Sequence, residues 1–372
     1  MGIFRPTGAE IHLDALKFNF QQLKNKLPPT VRIMAMVKAD AYGHGAVQVC
    51  KVLSDIGVAS LGVATVEEGL ELRDAAIHTP ILVLGGLMGV GSAAAGMMVG
   101  ADLTPVVHSA DVIEFLESTA RAAGKTIGIH LKVDTGMTRL GVMPQALPHF
   151  LTKLKECHSI RLDGVMTHFA DAEDHEYTGH QIEGFKECVK QVQAIMGTVP
   201  IWHVANSSAI YHGEYLTNAS ATEHWVRPGI ALYGVGKGLK TVMMLKSKIV
   251  MIKSVPAGTK ISYGCTFETK RPSKIGIMPI GYADGYPWAL SNKAQVLVRG
   301  QRVPVVGRVT MDMTMIDLTD MNESHVGDEV VLMGTQGGGN ISCEELAAWA
   351  GTIPYEILCG ISKRMPRVYL SS

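Results

Sequence analysis

The sequence lacks the features that tie proteins to membranes or to nucleic acid. Nowhere do 18 apolar residues follow one another, so no transmembrane helix is predicted. The first residues, "MGIFRPTGAEIHLD", contain no continuous apolar stretch, and we expect no signal peptide. Lys and Arg together number 34, as do Asp and Glu, so no excess of positive charge favours a nucleic acid or an anionic membrane as partner.

Cysteine is also scarce, and its spacing argues against a disulfide framework. The six cysteines form no C-x-x-C pair and no regular pattern; they are Cys50, Cys157, Cys188, Cys265, Cys343 and Cys359. This usage is typical of reduced thiols, because cytoplasmic proteins keep their cysteines unpaired. We therefore expect a soluble, cytoplasmic protein.

What the sequence has in abundance is apolar residues in a repeating arrangement. Of its 372 residues 47% are hydrophobic, enough for two domains with separate cores. Up to about residue 240, short apolar runs alternate with amphipathic stretches such as 109–124 and 178–197. Eight runs are predicted as strands, at 32–38, 58–64, 80–85, 103–107, 127–133, 161–168, 201–206 and 223–229.

These eight runs predict the fold class of the first domain, residues 1–240, as α/β. Strands that are apolar throughout, rather than alternating, are typical of a parallel sheet covered on both faces. Their number and the length of the segment favour a closed (β/α)8 barrel of the TIM type. A doubly wound open sheet is the alternative.

Residues 241–372 have a different sequence pattern, which predicts a mainly-β domain. Stretches such as "SKIGIMPIGYADG" and "GDEVVLMG" are strand-like, and closely spaced glycine turns separate them. The segment 342–351 predicts one short helix, with Ser342 as its N-cap and Glu344 and Glu345 in its first turn.

Polar side chains follow the predicted strands of the barrel. In a parallel barrel the carboxyl ends of all strands form one rim, and active sites lie at this rim. Singly, each residue has an ordinary explanation, such as a solvated lysine or a helix cap, but together they favour an anionic ligand. The residues are Lys38 and Tyr42, then Lys132, Asp134 and Arg139, then His168, then His203, Asn206 and Ser207, and finally Arg227 with Gly229 and Ile230.

Two turns of this rim, "NSS" and "RPGI", offer backbone N–H groups of the kind that bind phosphate. No Walker sequence is present, which argues against a nucleoside triphosphate. A lysine ending an apolar strand near a phosphate site suggests covalent attachment of pyridoxal 5'-phosphate. The segment "HFADAEDHE" (168–176) is rich in potential metal ligands, but its spacing matches no zinc pattern, and we predict a solvated loop and no metal site.

Taken in order, these motifs resemble the alanine racemase family over nearly the whole chain. "AMVKADAYGHG" (35–45) resembles the cofactor-attachment motif, and the other matches follow in family order: "KVDTGMTRLG", "THFA", "HVANSSA", "VRPGIALYG", "ISYG", "GYADGYP", "VTMDMTMID", "IPYEILCGIS" and "RMPRVY". The resemblance implies a pyridoxal-phosphate isomerase that interconverts L-alanine and D-alanine and supplies D-alanine for peptidoglycan. It also implies a homodimer with composite active sites.

The resemblance further implies a role for each matching residue. Lys38 would attach the cofactor and act as one base, and Tyr263 of the partner subunit would act as the other. Arg227 would face the pyridine nitrogen; because a guanidinium is not deprotonated, the ring would stay a weak electron sink, which disfavours transamination. Five residues would hold the phosphate of the cofactor: Tyr42, Ser207, Gly229, Ile230 and Tyr355. Arg139 would contact the phenolic oxygen of the cofactor and the substrate, and Met311 would contact the substrate carboxylate. His168 and His203 would support these residues from a second layer. Lys132 matches a lysine that is carbamylated in some members.

Two positions depart from the family pattern: Trp288 follows "GYADGYP", and Thr310 precedes Met311.

Three other functions compete with alanine racemisation. A pyridoxal-phosphate carrier would lack the second domain, and a decarboxylase would place a carboxylate at the pyridine nitrogen instead of Arg227. A racemase for another small amino acid, such as serine, stays open, although Tyr355 is expected to narrow the pocket toward alanine.

Overall fold

The computed structural model describes residues 4–88, 91–197, 200–213 and 223–371. Contacts divide the chain into two units. The barrel unit comprises Phe20–Ala41 and Ala46–Leu232. The β unit comprises the N-terminal segment to Asn19, the short piece Tyr42–Gly45 and the segment from Tyr233 onward, so the first strand, β1 (Gly8–His12), belongs to it.

Eight parallel strands close into a barrel in the order in which they occur along the chain. They are β2 (Val31–Met36), β3 (Ser60–Val63), β4 (Ile81–Val83), β5 (Thr104–Val107), β6 (Ile127–Lys132), β7 (Ile160–Met166), β8 (Ile201–His203) and β9 (Glu223–Val226). The last strand pairs with the first, because Val31 lies opposite His224 and Ile33 opposite Val226. The predicted (β/α)8 barrel is confirmed, and the open doubly wound sheet was wrong.

The barrel strands are apolar because both of their faces are covered. Every residue of β3 and β4 is buried. Branched side chains such as Val63, Ile81 and Val83 suit the pleated strand and lose almost all contact with water. Burial at successive positions, rather than alternate ones, explains why the sequence shows continuous apolar runs here.

Helices precede or connect the barrel strands along the chain. They are α1 (Leu13–Asn25), α2 (Lys38–Gly43), α3 (Ala46–Asp55), α4 (Val66–Asp74), α5 (Ser92–Gly100), α6 (Ala110–Ala122), α7 (Leu147–Lys155), α8 (His175–Met196) and α9 (Ser207–His212). The helices predicted at 109–124 and 178–197 are confirmed as α6 and α8. Helix α8 begins earlier than predicted, because Asp174 accepts a hydrogen bond from the backbone N–H of Tyr177 and caps it. The segment 168–176 is therefore a loop only as far as Asp174.

The β unit contains three sheets. Its strands are β10 (Met243–Lys248), β11 (Met251–Val255), β12 (Lys260–Ile261), β13 (Phe267–Glu268), β14 (Ser273–Met278), β15 (Gln295–Val298), β16 (Gln301–Pro304), β17 (Thr314–Asp317), β18 (Glu329–Gln336), β19 (Gly339–Ile341) and β20 (Arg367–Leu370). The largest sheet runs β16-β15-β18-β10-β1-β20, with β19 paired to β18. Strand β1 is antiparallel to β10 and parallel to β20, so both ends of the chain enter this sheet. The predicted mainly-β domain is confirmed.

Two helices complete the β unit, α10 (Cys343–Ala350) and α11 (Pro354–Gly360). The hydroxyl of Ser342 accepts a hydrogen bond from the backbone N–H of Glu345, so the predicted N-cap is confirmed. The sequence prediction did not include α11. The boundary between residues 240 and 241 stays a prediction, since neither unit is one continuous segment.

Across the described ranges, no helix combines the length and the apolar character needed to span a bilayer. All six cysteines lie in those ranges and are free thiols.

Candidate active site

The candidate cofactor lysine begins a left-handed turn. Lys38 is the first residue of α2, directly after the strand β2 and Val37. The four residues Ala39–Tyr42 have φ values of 53° or 54°, so α2 winds in the opposite sense to an ordinary helix. Such a conformation costs an L-residue roughly 1–2 kcal/mol, so four in succession persist only where the surroundings hold them.

Cationic side chains converge at the carboxyl end of the barrel strands. Lys132 ends β6 and is only 5% exposed. Burial lowers its pKa to about 8, with Arg139, Arg227 and Lys38 contributing in the same direction and Asp134 opposing them. The structure therefore brings together four cations that the sequence placed on one rim, with the carboxylate of Asp134 among them.

That carboxylate, Asp134, is engaged with the backbone. Its Oδ1 accepts hydrogen bonds from Gly136 N and Thr138 N at 3.0 Å, and its Oδ2 accepts one from Arg139 N at 3.1 Å. Burial would raise the pKa of Asp134, but these backbone donors outweigh it and lower the pKa. Asp134 thus shapes the loop that presents Arg139.

Arg227 lies at the centre of the cluster and is almost fully buried, with 2% exposure. Its NH1 donates to His203 Nδ1 at 3.0 Å and to His203 O at 2.6 Å. Its NH2 donates to Thr167 O at 2.7 Å, to His168 Nδ1 at 3.1 Å and to Val204 O at 3.1 Å. All five acceptors are uncharged, and within the described ranges no carboxylate pairs with this guanidinium.

A buried cation among neutral acceptors is costly unless a ligand supplies the missing partner. The five bonds occupy both terminal nitrogens of Arg227, and within the described part of the chain none uses Nε–H. Burial lowers the pKa of Arg227, yet a guanidinium still acts only as a donor. One N–H and one positive charge therefore remain for a ligand with an acceptor nitrogen or oxygen.

The histidines around Arg227 form a chain with a defined tautomer. Because Arg227 donates to His203 Nδ1, the proton of a neutral His203 lies on Nε2, which is 2.7 Å from His130 Nδ1. Burial, followed by Arg227, lowers the pKa of His203 well below its usual value. Burial likewise lowers the pKa of His168 to about 2, with Arg227 the next cause, so each ring is a neutral acceptor toward the guanidinium.

The two predicted phosphate turns are joined to each other. The Ser207 hydroxyl accepts hydrogen bonds from Gly229 N at 2.9 Å and from Ala231 N at 3.3 Å. Asn206 caps α9 through its side chain, which accepts from Ala209 N. The structure thus brings Ser207 together with the loop that contains Gly229 and Ile230, and the Gly229 N–H is satisfied by Ser207.

In the β unit, two tyrosines pack around Tyr42, the residue that ends the left-handed run Ala39–Tyr42. The Tyr42 ring lies 4.9 Å from Tyr233 and 6.1 Å from Tyr355, between ring centroids. Burial raises the pKa of Tyr42, followed by its neighbours Tyr355 and Cys359, and burial also raises the pKa of Tyr355. These phenols therefore keep their protons and can act as hydrogen-bond donors.

The other predicted residues of the β unit are exposed in the single chain. Tyr263 begins a 3₁₀ turn, Tyr263–Cys265, and is 76% exposed, and Met311 is also exposed. Of the two departures, Trp288 packs its ring under the guanidinium of Arg308, at 4.3 Å. Thr310 closes a local turn, because its hydroxyl donates to Met313 O and accepts from Met313 N.

Sequence analysis missed His130, which is 3% exposed and holds the proton-bearing edge of His203. A signal was present, because His130 lies two residues before Lys132 in a strand and so faces the same side. In the described ranges no three His, Cys, Asp or Glu residues group as metal ligands. In the segment 168–176, His168 accepts from Arg227 and Asp174 caps α8.

Comparison with known proteins decides the family. The model of the alanine racemase N-terminal domain matches residues 11–237, and that of the alanine racemase C-terminal domain matches residues 242–369. The chain belongs to the alanine racemase family. An alanine racemase of Halothermothrix orenii is 45% identical over 377 residues, covering 99% of this chain and 97% of the relative.

Solved structures of the family agree in fold over the whole chain. The alanine racemase of Clostridium difficile 630 has a TM-score of 0.90 at 37% identity, covering 99% of this chain and 97% of that one. That of Bacillus anthracis, solved with bound L-Ala-P, has a TM-score of 0.90 at 35% identity, covering 100% and 96%. The predicted family is confirmed, and so is the predicted class of enzyme, an isomerase.

Proposed function

We propose that the protein interconverts L-alanine and D-alanine with pyridoxal 5'-phosphate as cofactor. The observation that carries this proposal is Arg227, a buried cation whose described partners are all uncharged and whose Nε–H is left for a ligand. Lys132 and Arg139, which lie near Arg227, add positive charge that suits a phosphorylated ligand. Family membership supplies the reaction, because the named relatives are alanine racemases.

Several residues of the chain would hold the cofactor. Lys38 would bind it covalently through its amine, and Arg227 would donate to its ring nitrogen. The Ser207 hydroxyl, the turn at Gly229 and Ile230, and the phenols of Tyr42 and Tyr355 would hold the phosphate, while Arg139 and His168 would lie beside the ring. When bound, pyridoxal phosphate withdraws electrons from Cα of the attached amino acid and so acidifies the α-proton.

Racemisation needs one proton removed from Cα and another delivered from the opposite side. In our proposal Lys38 Nζ exchanges a proton on one face of Cα, and Tyr263 Oη of the partner subunit does so on the other. Arg227 cannot hand over a proton, which limits electron withdrawal and keeps protons returning to Cα. Met311 of the partner subunit and Arg139 would orient the substrate carboxylate.

The proposal includes a homodimer in the cytoplasm that supplies D-alanine for peptidoglycan. Exposure of Tyr263 and Met311 in the single chain supports the dimer, because both would be covered by a second subunit. The six free thiols support a reducing compartment. The state of Lys132 fits either an amine or a carbamate, since burial lowers its pKa to about 8 and an uncharged amine can react with carbon dioxide.

The test combines an absorbance spectrum with circular dichroism of L-alanine during incubation. We expect a visible band from the Lys38-bound cofactor and loss of the optical signal of L-alanine. Lys38→Ala should abolish the band, whereas Tyr263→Phe should keep it and reduce turnover in at least one direction by roughly 100-fold or more.

Parallel incubations separate the competing functions. A band without racemisation of any amino acid would favour the carrier, and release of carbon dioxide would favour a decarboxylase. Faster loss of optical activity with L-serine than with L-alanine would favour a serine racemase. Absence of any band after incubation with pyridoxal phosphate would overturn the proposal.

A further inference from the structure

Glu68 connects the ends of two neighbouring barrel strands. It lies in the first turn of α4 and is half-buried. Its Oε1 accepts a hydrogen bond from Ala39 N at 2.7 Å, and its Oε2 accepts one from Ala64 N at 2.7 Å. Ala39 directly follows Lys38, and Ala64 directly follows β3, so one carboxylate bridges the segments that leave β2 and β3.

Glu68 also belongs to the cap of its own helix. The Thr65 hydroxyl accepts from Glu68 N at 3.4 Å, and Glu68 Oε2 receives a long bond, also 3.4 Å, from Thr65 N. In an ordinary capping box the glutamate returns to the N-cap residue and nothing else. Here the long distance to Thr65 and the short distances to Ala39 and Ala64 show that the carboxylate serves mainly the two strand ends.

The hydrogen bond to Ala39 lies at the start of the strained left-handed run of the backbone. Ala39 is the first residue of the left-handed run Ala39–Tyr42. Inside the turn, Ala41 N donates to Val37 O at 2.9 Å, and the Asp40 carboxylate accepts from Ala46 N at 2.7 Å. Glu68 is the only side chain in the described contacts that accepts from the N–H group at the start of the turn. A charged acceptor makes this bond stronger than a neutral one would.

We propose that Glu68 is a positioning residue that fixes the left-handed turn and thereby the direction of Lys38. The proposal deepens the proposed function and rests on Lys38 acting there. Through the Ala39 N–H, the carboxylate holds the peptide that carries Lys38 against the end of β3. Glu68 touches neither substrate nor cofactor, so its effect reaches the reaction only through the backbone of Lys38.

Two variants of Glu68 and two control variants separate this role from simple helix capping. Glu68→Ala removes both strand contacts, and Glu68→Gln keeps one acceptor oxygen, so it can serve Ala39 or Ala64 but not both. Thr65→Ala is the matched control, because it removes the hydroxyl of the cap and leaves the carboxylate in place. Glu67→Ala controls for loss of negative charge in the same turn, since Glu67 is exposed.

The first measurement is hydrogen exchange of the Ala39 amide in the purified protein, which requires no turnover. Loss of a charge-assisted bond should speed exchange about 10- to 100-fold in Glu68→Ala. Glu68→Gln should give an intermediate rate, and Thr65→Ala and Glu67→Ala should stay near the parent rate. The second measurement is alanine racemisation, where Glu68→Ala should lower kcat by about tenfold or more with KM changed little.

The outcomes distinguish this inference from the proposed function. Equal exchange rates at Ala39 in Glu68→Ala and Thr65→Ala would overturn the inference, whatever the activity. If Glu68→Ala fails to fold, Glu68→Met decides, because methionine fills a similar space but offers no oxygen to Ala39 N, and exchange at Ala39 equal to that in Thr65→Ala would also overturn the inference. If the parent protein racemises no alanine, the proposed function fails. Faster exchange at Ala39 in Glu68→Ala would still support the inference that Glu68 fixes the left-handed turn.

Discussion

At the scale of single residues, the buried histidines predict a loss of stability in acid. Burial lowers the pKa of His130 to about 4, with Asp163 opposing and Arg227 assisting, and lowers that of His168 to about 2. Histidine in an unfolded chain titrates near pH 6.5. Below that pH the unfolded state binds protons that the folded state does not, so folding stability is fully present above about pH 6.5 and is lost as the pH falls.

We predict that His130→Asn makes the loss of stability in acid less steep. Each histidine that stays neutral contributes about 1.4 kcal/mol per pH unit between about pH 6 and the folded pKa. In the variant, the free energy of unfolding should therefore fall less steeply with decreasing pH, by the contribution of one histidine. The variant will also be less stable at neutral pH, because the hydrogen bond to His203 is lost. Urea unfolding at several pH values measures the slope. His149→Asn, at an exposed position, is the control, and equal slopes in both variants would contradict the prediction.

Thr138 has a strained backbone conformation that a substitution can relieve. It is exposed, it donates its backbone N–H to Asp134, and its φ is 53°, which a β-branched residue seldom adopts. We predict that Thr138→Gly raises the free energy of unfolding by about 0.5–1 kcal/mol, because relief of strain exceeds the added flexibility of glycine in the unfolded chain.

Thermal or urea unfolding provides the measurement for Thr138→Gly. The matched change Thr152→Gly, inside helix α7, should instead destabilise by about 0.3 kcal/mol. A destabilised Thr138→Gly variant would show that the threonine contributes more than strain.

At the scale of elements, the close pairing of strands β6 and β7 depends on the glycine at position 164. A Cβ at Gly164 would lie 2.6 Å from His130 Nδ1 and 2.7 Å from Cε1 of the same ring. The two strands pair in parallel, with His130 opposite Gly164. The imidazole thus occupies the space that any larger residue on β7 would need.

We predict that Gly164→Ala destabilises the protein by about 1–3 kcal/mol, because the added methyl group overpacks the barrel and displaces His130. The displaced ring would no longer accept from His203, so the imidazole NMR signals of both residues should shift. Gly179→Ala in α8 is the control: no atom lies within 4 Å of its Cβ, and it should stabilise by about 0.5–1 kcal/mol. Equal stability of the two variants would contradict the steric explanation.

At the scale of the whole molecule, the proposal places Lys38 and Tyr263 of one site on different chains. We predict that mixing Lys38→Ala and Tyr263→Phe chains, each inactive alone, restores activity. In a random mixture about half the dimers are mixed, and each has one site with both native residues, so about a quarter of the sites should work.

Unfolding and refolding the two variants together, followed by the racemisation assay, measures this complementation. A mixture of separately refolded variants is the control, and it should stay inactive unless subunits exchange. No recovery after joint refolding would place both residues of a site on the same chain.

The sequence by itself determined the types of element and much of the candidate site. Eight apolar runs predicted eight barrel strands, because a strand buried on both faces must be apolar throughout. The same pattern placed Lys132, His168 and Arg227 on one rim, since parallel strands all end at the same side of a barrel. Motifs around these residues carried the resemblance to the family that the comparisons confirmed.

Only the tertiary structure decided which distant groups meet. Strand β1 pairs with β10 and β20, although nothing in its five residues specifies a partner more than 200 positions away. Glu68 has the spacing of a helix cap, yet its carboxylate holds the turn after Lys38. The left-handed sense of that turn is also invisible in the sequence, because no glycine marks Ala39–Tyr42. Local periodicity records which residues are buried, whereas hydrogen-bond partners and backbone strain depend on how the closed barrel brings separate strand ends together.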